Sequence, residues 1–463
     1  MADHHPHDRE RLRLGLLICI HIVISCVSLI YLADNRFPIA FEPTTFHIFY
    51  DPSRWYVAVA VVAAFALVSP LFVLASFSFG YFVGFYFYMM VLSYLWLSCF
   101  TNLHYDHRLA GVSAAASAIA FLLPALFISS PIRQAYALSE SAFDRLLTFI
   151  MLLGAATVAI GAAYSFQFAS IDDMSALRNK IVSPTILNYL IGTTYSALLP
   201  FAFAGFAARK AYWRAGAVLL LLCFFYPITL TKIALFTPFW LIAVFLLSKL
   251  ADARSAVVLS LLVPIASVLF LVILFGAPTS LLFSIVSLRL GAIPSIAMDV
   301  YNDFFSRHEL TYFCQISFLK PIMHCPYQEQ LGIVMLKAYQ LGNFNGSLFA
   351  TEGIASVGVW FAPVTVFMCG LVIALGNRLS AGLPAGFVLI SGAIIPQALL
   401  NVPLTTVLLT HGAGLLFLLW YVTPRTIFEP GTGTQSAAHQ LDPPETQWRC
   451  AIRFDPSHHR RDD

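Results

Sequence analysis

Apolar residues come in blocks of some twenty along nearly the whole chain, and polar residues gather in the short intervals between them. An α-helix rises about 1.5 Å per residue, so a block of that length crosses the roughly 30 Å hydrocarbon core of a bilayer. The pattern predicts about a dozen transmembrane helices, near residues 12–32, 55–76, 79–100, 111–129, 147–168, 185–207, 215–230, 233–248, 255–276, 353–375, 384–402 and 405–423. One polar interval is far longer than the others, from Ala277 to Thr351.

Composition excludes a soluble core. Of 463 residues, 59% are hydrophobic and 11% charged, and the mean hydropathy is +0.80. A globular interior cannot absorb so much apolar surface, whereas lipid solvates it directly. The expected fold class is therefore all-α, a polytopic integral membrane protein. Arg9, Arg11 and Arg13 precede the first block and no small-residue cleavage site follows it, so it reads as a retained helix and not a signal peptide. A net charge of +3 without any dense basic run sets nucleic acid aside as a partner.

With the N-terminus in the cytoplasm, Arg133, Arg145, Arg209, Lys210, Arg214, Lys249, Arg254, Arg378 and Arg425 all fall in connections on that side. This is the positive-inside asymmetry. It divides the chain into a cytoplasmic N-terminus (1–11), a membrane domain of about nine spans (12–276), an extracytoplasmic cap (277–351), C-terminal spans (352–423) and a cytoplasmic tail (424–463). From Glu429 onward the tail's Pro, Gly, Thr, Gln and charge predict disorder. No fixed-period repeat, Gly-rich phosphate loop, HExxH or GxSxG is present, which removes support from ATP-driven and zinc-protease chemistry. No motif implies a metal or other cofactor.

Within the long interval, LLFSIVSLRLGAIPSIAMDVYNDFF and LGIVMLKAYQLG space their apolar residues by threes and fours, which predicts amphipathic helices lying on the membrane surface. Between them, ELTYFCQISFLKPIMHCPYQEQ has the aromatics, prolines and single charges of a loop over a sugar-sized cavity. Five of the eight cysteines lie in apolar runs, where a thiol behaves as a small hydrophobe. Cys314 and Cys325 share the polar interval; they are either a disulfide, if the interval meets an oxidising compartment, or two free thiols.

The aromatic-Cys-Gln-Ile block at Tyr312 to Ile316, the turn holding Asn343, Asn345 and Gly346, then Phe349, Glu352, Gly353 and a small-residue helix start through Gly358 form a recognisable series. It resembles the oligosaccharide repeat unit polymerases, the Wzy-like membrane enzymes of bacterial O-antigen and exopolysaccharide assembly. LLTHGAG at Leu408 to Gly414, Arg289 in SLRLGAIPS and the hairpin ITLTKIALF around Lys232 extend the resemblance over the C-terminal half. The resemblance implies a GT-C-like architecture, similar to lipid-sugar-dependent membrane glycosyltransferases, in the bacterial inner membrane with a periplasmic active face. It further implies transfer of a glycan from a polyprenyl (undecaprenyl) pyrophosphate donor to the terminal hydroxyl of another lipid-linked repeat unit. The implied partners are those lipid-linked glycans, membrane lipids and a polysaccharide chain-length regulator.

Such chemistry must stabilise the charge growing on a departing pyrophosphate, which without a metal requires fixed cations. Arg offers a planar fork matched to phosphate oxygens and Lys a point charge. The external cations are Arg178, Lys180, Lys232, Arg289, Arg307, Lys320 and Lys337, with Arg289, Arg178 and Lys232 the leading catalytic candidates. Each has a plainer reading: Arg289 snorkelling to headgroups, Lys232 anchoring a helix end, Arg178 pairing with Asp172 or Asp173. Glu352 opens a span after a polar turn and is the candidate base, or else an acidic first-turn residue at a helix N-terminus. His324 and His308 can move protons, or simply be solvated. Asn343 and Asn345 are candidate sugar ligands or turn formers, Lys320 and His324 candidate substrate contacts, and His411 an intramembrane polar residue that serves either function or an interhelical hydrogen bond. A ligase moving finished glycan shares the donor chemistry. A transporter or flippase of lipid-linked saccharides is the alternative from another class, and would show an inverted repeat or midplane charge.

Overall fold

The computed structural model describes residues 5–33, 46–168, 177, 181, 183–276, 280–316 and 319–428. The expectation of disorder from Glu429 onward lies outside the described residues. The protein is all-α: among the described residues, extended pairing is confined to one bridge between Ile48 and Thr101. Ten long helices account for ten of the expected spans. They are α1 (His5–Ala33), α2 (Pro52–Leu74), α3 (Phe79–Leu97), α4 (His107–Phe127), α5 (Glu140–Tyr164), α6 (Thr185–Ala208), α7 (Tyr212–Thr229), α8 (Lys232–Leu250), α9 (Ala253–Phe275) and, past the long interval, α13 (Phe349–Ser380). Polar residues at the block edges start several of them. Ser78, Asp106, Ser139 and Asp252 each accept a backbone N–H of the first turn, which meets the orphan donors of a helix start.

α3 is the hub, with all nineteen of its residues buried. Close approach around it depends on small residues, since a Cβ at Gly80 would strike the Ala125 carbonyl of α4 and one at Gly370 the Phe121 carbonyl. Asn377 of α13 locks the three helices, donating to the Ala125 carbonyl (2.7 Å) and accepting from Gly80 N–H (2.5 Å). One end of the bundle collects cations. Arg254 meets Glu10 at 3.0 Å, Arg209 meets Asp144 at 3.1 Å, and Arg378 donates to the Ser130 carbonyl.

The opposite end holds a departure from expectation. α10 (Ser280–Ser287) and α11 (Ile293–Phe305), joined by a π-turn at Leu288–Ala292, form a run long and apolar enough to cross a membrane. The run does not cross. Phe283 packs on Tyr31 near the end of α1, Gly291 lies against both Leu29 and Ser93, and Asp303 accepts the His104 N–H just beyond α3. Both ends of the run therefore meet the same end of the bundle. Nor does α11 float on the membrane as an amphipathic surface helix: Pro294 through Phe305 are all buried, because its polar side turns toward the tyrosines of α3 and the α3–α4 loop.

After α11 the chain forms a polar loop closed by a Cys314–Cys325 disulfide, then α12 (Leu331–Tyr339). Thr311 and Tyr312 N–H groups bond the Ala355 and Ser356 carbonyls, docking this cap on the start of α13 beside the left-handed kink at Gly358. The spans expected at 384–402 and 405–423 each occur as two short helices: α14 (Ala385–Ser391) with α15 (Ile394–Leu399), and α16 (Leu404–Leu409) with α17 (Ala413–Val422). Breaking a helix in lipid frees backbone groups, and side chains take them up here: Trp240 donates to the Ala393 carbonyl, and Thr193 to that of Thr410. Residues 425–428 form a short 3-10 turn.

Candidate functional site: a lipid-facing groove with a cationic mouth

A cavity of about 580 Å³ runs between α8 and α9. Its polar lining residues include Lys232, at the cap-bearing end of α8, together with Arg289, Gln397 and Asn401. Lys232 is the first residue of α8, placed there by a tight hairpin in which Leu230 adopts a left-handed backbone (φ 47°). Arg289 sits in the π-turn between α10 and α11, where the extra residue of the wide turn displaces side chains from the helical register; such turns recur at functional sites. Gln397 belongs to α15, and Asn401 follows it before α16 begins.

The rest of the wall is largely apolar, with Phe236, Phe239, Trp240, Ala243, Val263 and Pro264, and Leu246 and Leu247 farther along α8. From Lys232 to Leu247 the groove follows fifteen residues of helix, roughly 22 Å. Phe239 is 62% exposed and Leu246 51%, so the groove opens sideways to the lipid. This arrangement fits an amphiphile with an anionic head at Arg289 and Lys232, amide partners at Gln397 and Asn401, and a long apolar tail.

Other sequence candidates fall elsewhere. Arg178 and Lys180 lie outside the described residues. Glu352 is buried (6% exposed) in a π-turn at Phe349–Ala355, and its carboxylate is fully engaged: Oε1 accepts from Thr405 N–H (3.1 Å) and Oγ1 (3.2 Å), Oε2 from Thr351 Oγ1 (2.6 Å). It thus caps the first turn of α16, not of its own helix, and joins α13 to the loop that carries Asn401. Lys320 donates to the Gln328 carbonyl at 2.8 Å within the disulfide loop, and His324 is exposed there; neither lines the groove. Asn343 and Asn345 set their side-chain oxygens against Gly332 so closely that a Cβ would collide with both, which makes them a clasp on α12. His308 stacks on Phe304 at 3.9 Å, Arg307 pairs with Asp303, and Lys337 meets Glu329 at 2.6 Å.

The sequence reading passed over a buried carboxylate network beside the cap. Asp299 and Asp303, one turn apart on α11 and each 2% exposed, are held by tyrosines. Tyr105 OH donates to Asp299; Tyr339 OH (2.5 Å), His104 N–H (2.9 Å) and Arg307 donate to Asp303. Asn302 between them donates to Tyr94 OH at 3.2 Å. The signal was available, since two carboxylates four residues apart in so apolar a stretch need buried partners. Burial, with Asp299 next to it, holds the Tyr105 hydroxyl well above its ordinary pKa; burial and the bond to Asp303 do the same for Tyr339. Among the described residues, no three His, Cys, Asp or Glu side chains converge as a metal-binding group. No family model, curated protein or solved structure matches the chain.

Proposed function

We propose that this multi-pass membrane protein is a glycosyltransferase that polymerises polyprenyl-pyrophosphate-linked oligosaccharide repeat units on the side of the membrane bearing the cap. The observation that carries the reading is the groove, a lipid-open apolar channel ending at Arg289 and Lys232. A polyprenyl chain fits the channel, and its pyrophosphate meets the two cations. In the transfer, an acceptor hydroxyl attacks the anomeric carbon of the donor sugar while the bond from that carbon to the pyrophosphate oxygen breaks, and the hydroxyl proton passes to the departing pyrophosphate. Charge then grows on the leaving oxygen, where Arg289 and Lys232 stabilise it more strongly than in the ground state. The cap supports an extracytoplasmic face, because a Cys314–Cys325 disulfide persists in an oxidising compartment and the cations of the opposite end follow the positive-inside rule. On this reading the protein works in a bacterial inner membrane with the cap on the periplasmic side.

The test is incubation of purified protein with a lipid-linked repeat unit, read as a ladder of multiples on a gel. A ladder that disappears in Arg289→Ala and in Lys232→Ala, at unchanged expression, is the expected result. Undiminished polymer from both variants rules out the groove as the donor site. A second reading, a carrier of lipid-linked saccharides, draws on the interrupted pairs α14–α15 and α16–α17 beside the groove, since broken helices are common in transporters. Movement of lipid-linked saccharide across proteoliposomes without a ladder would favour it.

A further inference from the structure

On the far side of the α7–α8 hairpin from the groove lies a second cavity of about 330 Å³, within the range of small-molecule pockets. The two share one turn: Thr229 and Thr231, with hydroxyls 3.0 Å apart, face this chamber, while Lys232 faces the groove. The described lining residues carry no formal charge and mix polar side chains with Leu187, Ile191 and Ile228. Asn188 of α6 supplies an amide, Thr229 and Thr231 hydroxyls, and His411, in the break between α16 and α17, an imidazole. Tyr164 and Tyr195 bring aromatic rings, Tyr195 from a π-turn at Thr194–Leu198. Ser165, at the chamber wall, has a buried hydroxyl with no hydrogen-bond partner. Leaving such a group unpaired is costly, and a ligand hydroxyl would satisfy it.

We propose that this chamber is a neutral saccharide site, holding one or two sugar rings. None of the described lining residues is a cation, and the Ser165 hydroxyl, buried without a partner, is met by a ligand hydroxyl and not by an apolar surface. A sugar matches both halves of the lining, since its hydroxyls exchange hydrogen bonds with Asn, Thr, Ser and His while its C–H faces lie on tyrosine rings. The proposal deepens the glycosyltransferase reading and rests on it for the biological ligand: the lipid pyrophosphate occupies the groove, and a sugar of the repeat unit lies across the Thr229–Lys232 turn from it.

The experiment uses the full chain in lipid nanodiscs and saturation-transfer NMR with free glucose, galactose, N-acetylglucosamine and their β-linked dimers at millimolar concentration. Magnetisation should pass to ring protons of at least one of them, and affinity should fall at least about tenfold in both Asn188→Leu and Thr231→Val. Asn188 is exposed and Thr231→Val is nearly isosteric, so both variants should keep the parental unfolding midpoint. Absence of transfer to every sugar in the wild type overturns the proposal, as does undiminished transfer in both variants. Binding of bare undecaprenyl phosphate in the same samples, sensitive to Arg289→Ala, reports on the groove alone. Sugar binding without a polymer ladder therefore leaves the chamber standing while removing the polymerase reading.

Discussion

Two charged regions share one end of this bundle and treat charge in opposite ways. At the groove, Lys232 and Arg289 border a cavity whose remaining walls are largely apolar, with Gln397 and Asn401 among the few polar groups. In the network around α11, Asp299, Asp303 and, nearby, Glu352 are buried with their oxygens taken up by tyrosine, threonine and backbone donors. A buried carboxylate held by several donors fixes geometry, whereas a cation lining an open, largely apolar channel borders a volume that a ligand can enter. Charge in a membrane protein signals binding only where space accompanies it. Space decides between the two regions here.

The comparison predicts a clean division between variants that lose ligand and variants that lose stability. The double variant Arg289→Ala with Lys232→Ala removes two charge-assisted contacts, each worth about 1.5–3 kcal/mol. Affinity for undecaprenyl phosphate should fall by more than about 100-fold, with a smaller drop in the unfolding midpoint than Asp303→Ala causes, and a larger drop would place these cations with the structural network. Asp303→Ala should do the reverse, costing about 3 kcal/mol by stranding the His104 N–H and the Tyr339 hydroxyl, with Asp303→Asn milder. A parental midpoint in thermal unfolding of Asp303→Ala would erase the contrast. Ala243→Phe, which fills the groove midway, should weaken a long prenyl phosphate about tenfold and leave farnesyl phosphate unaffected. Equal loss for both chain lengths would show that the tail lies elsewhere.

The smallest effect is alkaline. Tyr105 and Tyr339 keep their protons in the folded protein above the ordinary tyrosine pKa of about 10, where the unfolded chain releases them. The folded state then binds more protons than the unfolded one, so stability is intact below pH 10 and declines as pH rises beyond it. Tyr339→Phe should flatten that decline while costing about 1 kcal/mol at neutral pH. An unchanged slope between pH 9 and 11 in stability measurements would show that the network does not govern it.

The helical blocks were legible because hydropathy is local: each span carries its own signal, and even α14–α15 and α16–α17 were visible as single runs despite their breaks. Arg289 and Lys232 were legible for the same reason, each a lone cation in an apolar neighbourhood. Their convergence was not, since it depends on a π-turn and on α15 passing beside α8. The burial of α11 escaped because spacing reveals that a helix has two faces without revealing what each face meets. The position of Glu352 at a span's start suggests a base, and its bond to Thr405, fifty-three residues away, has no local signal. The second cavity left no trace in the sequence, its hydroxyls being scattered singly over several elements.

The sideways opening at Phe239 and Leu246 sets how any occupant of the groove must arrive. Entry is from the plane of the leaflet, so encounter is a two-dimensional diffusion problem, and occupancy follows the mole fraction of the amphiphile among its lipid neighbours. Diluting the membrane with inert lipid should therefore lower occupancy of the groove, whereas diluting the surrounding water should not.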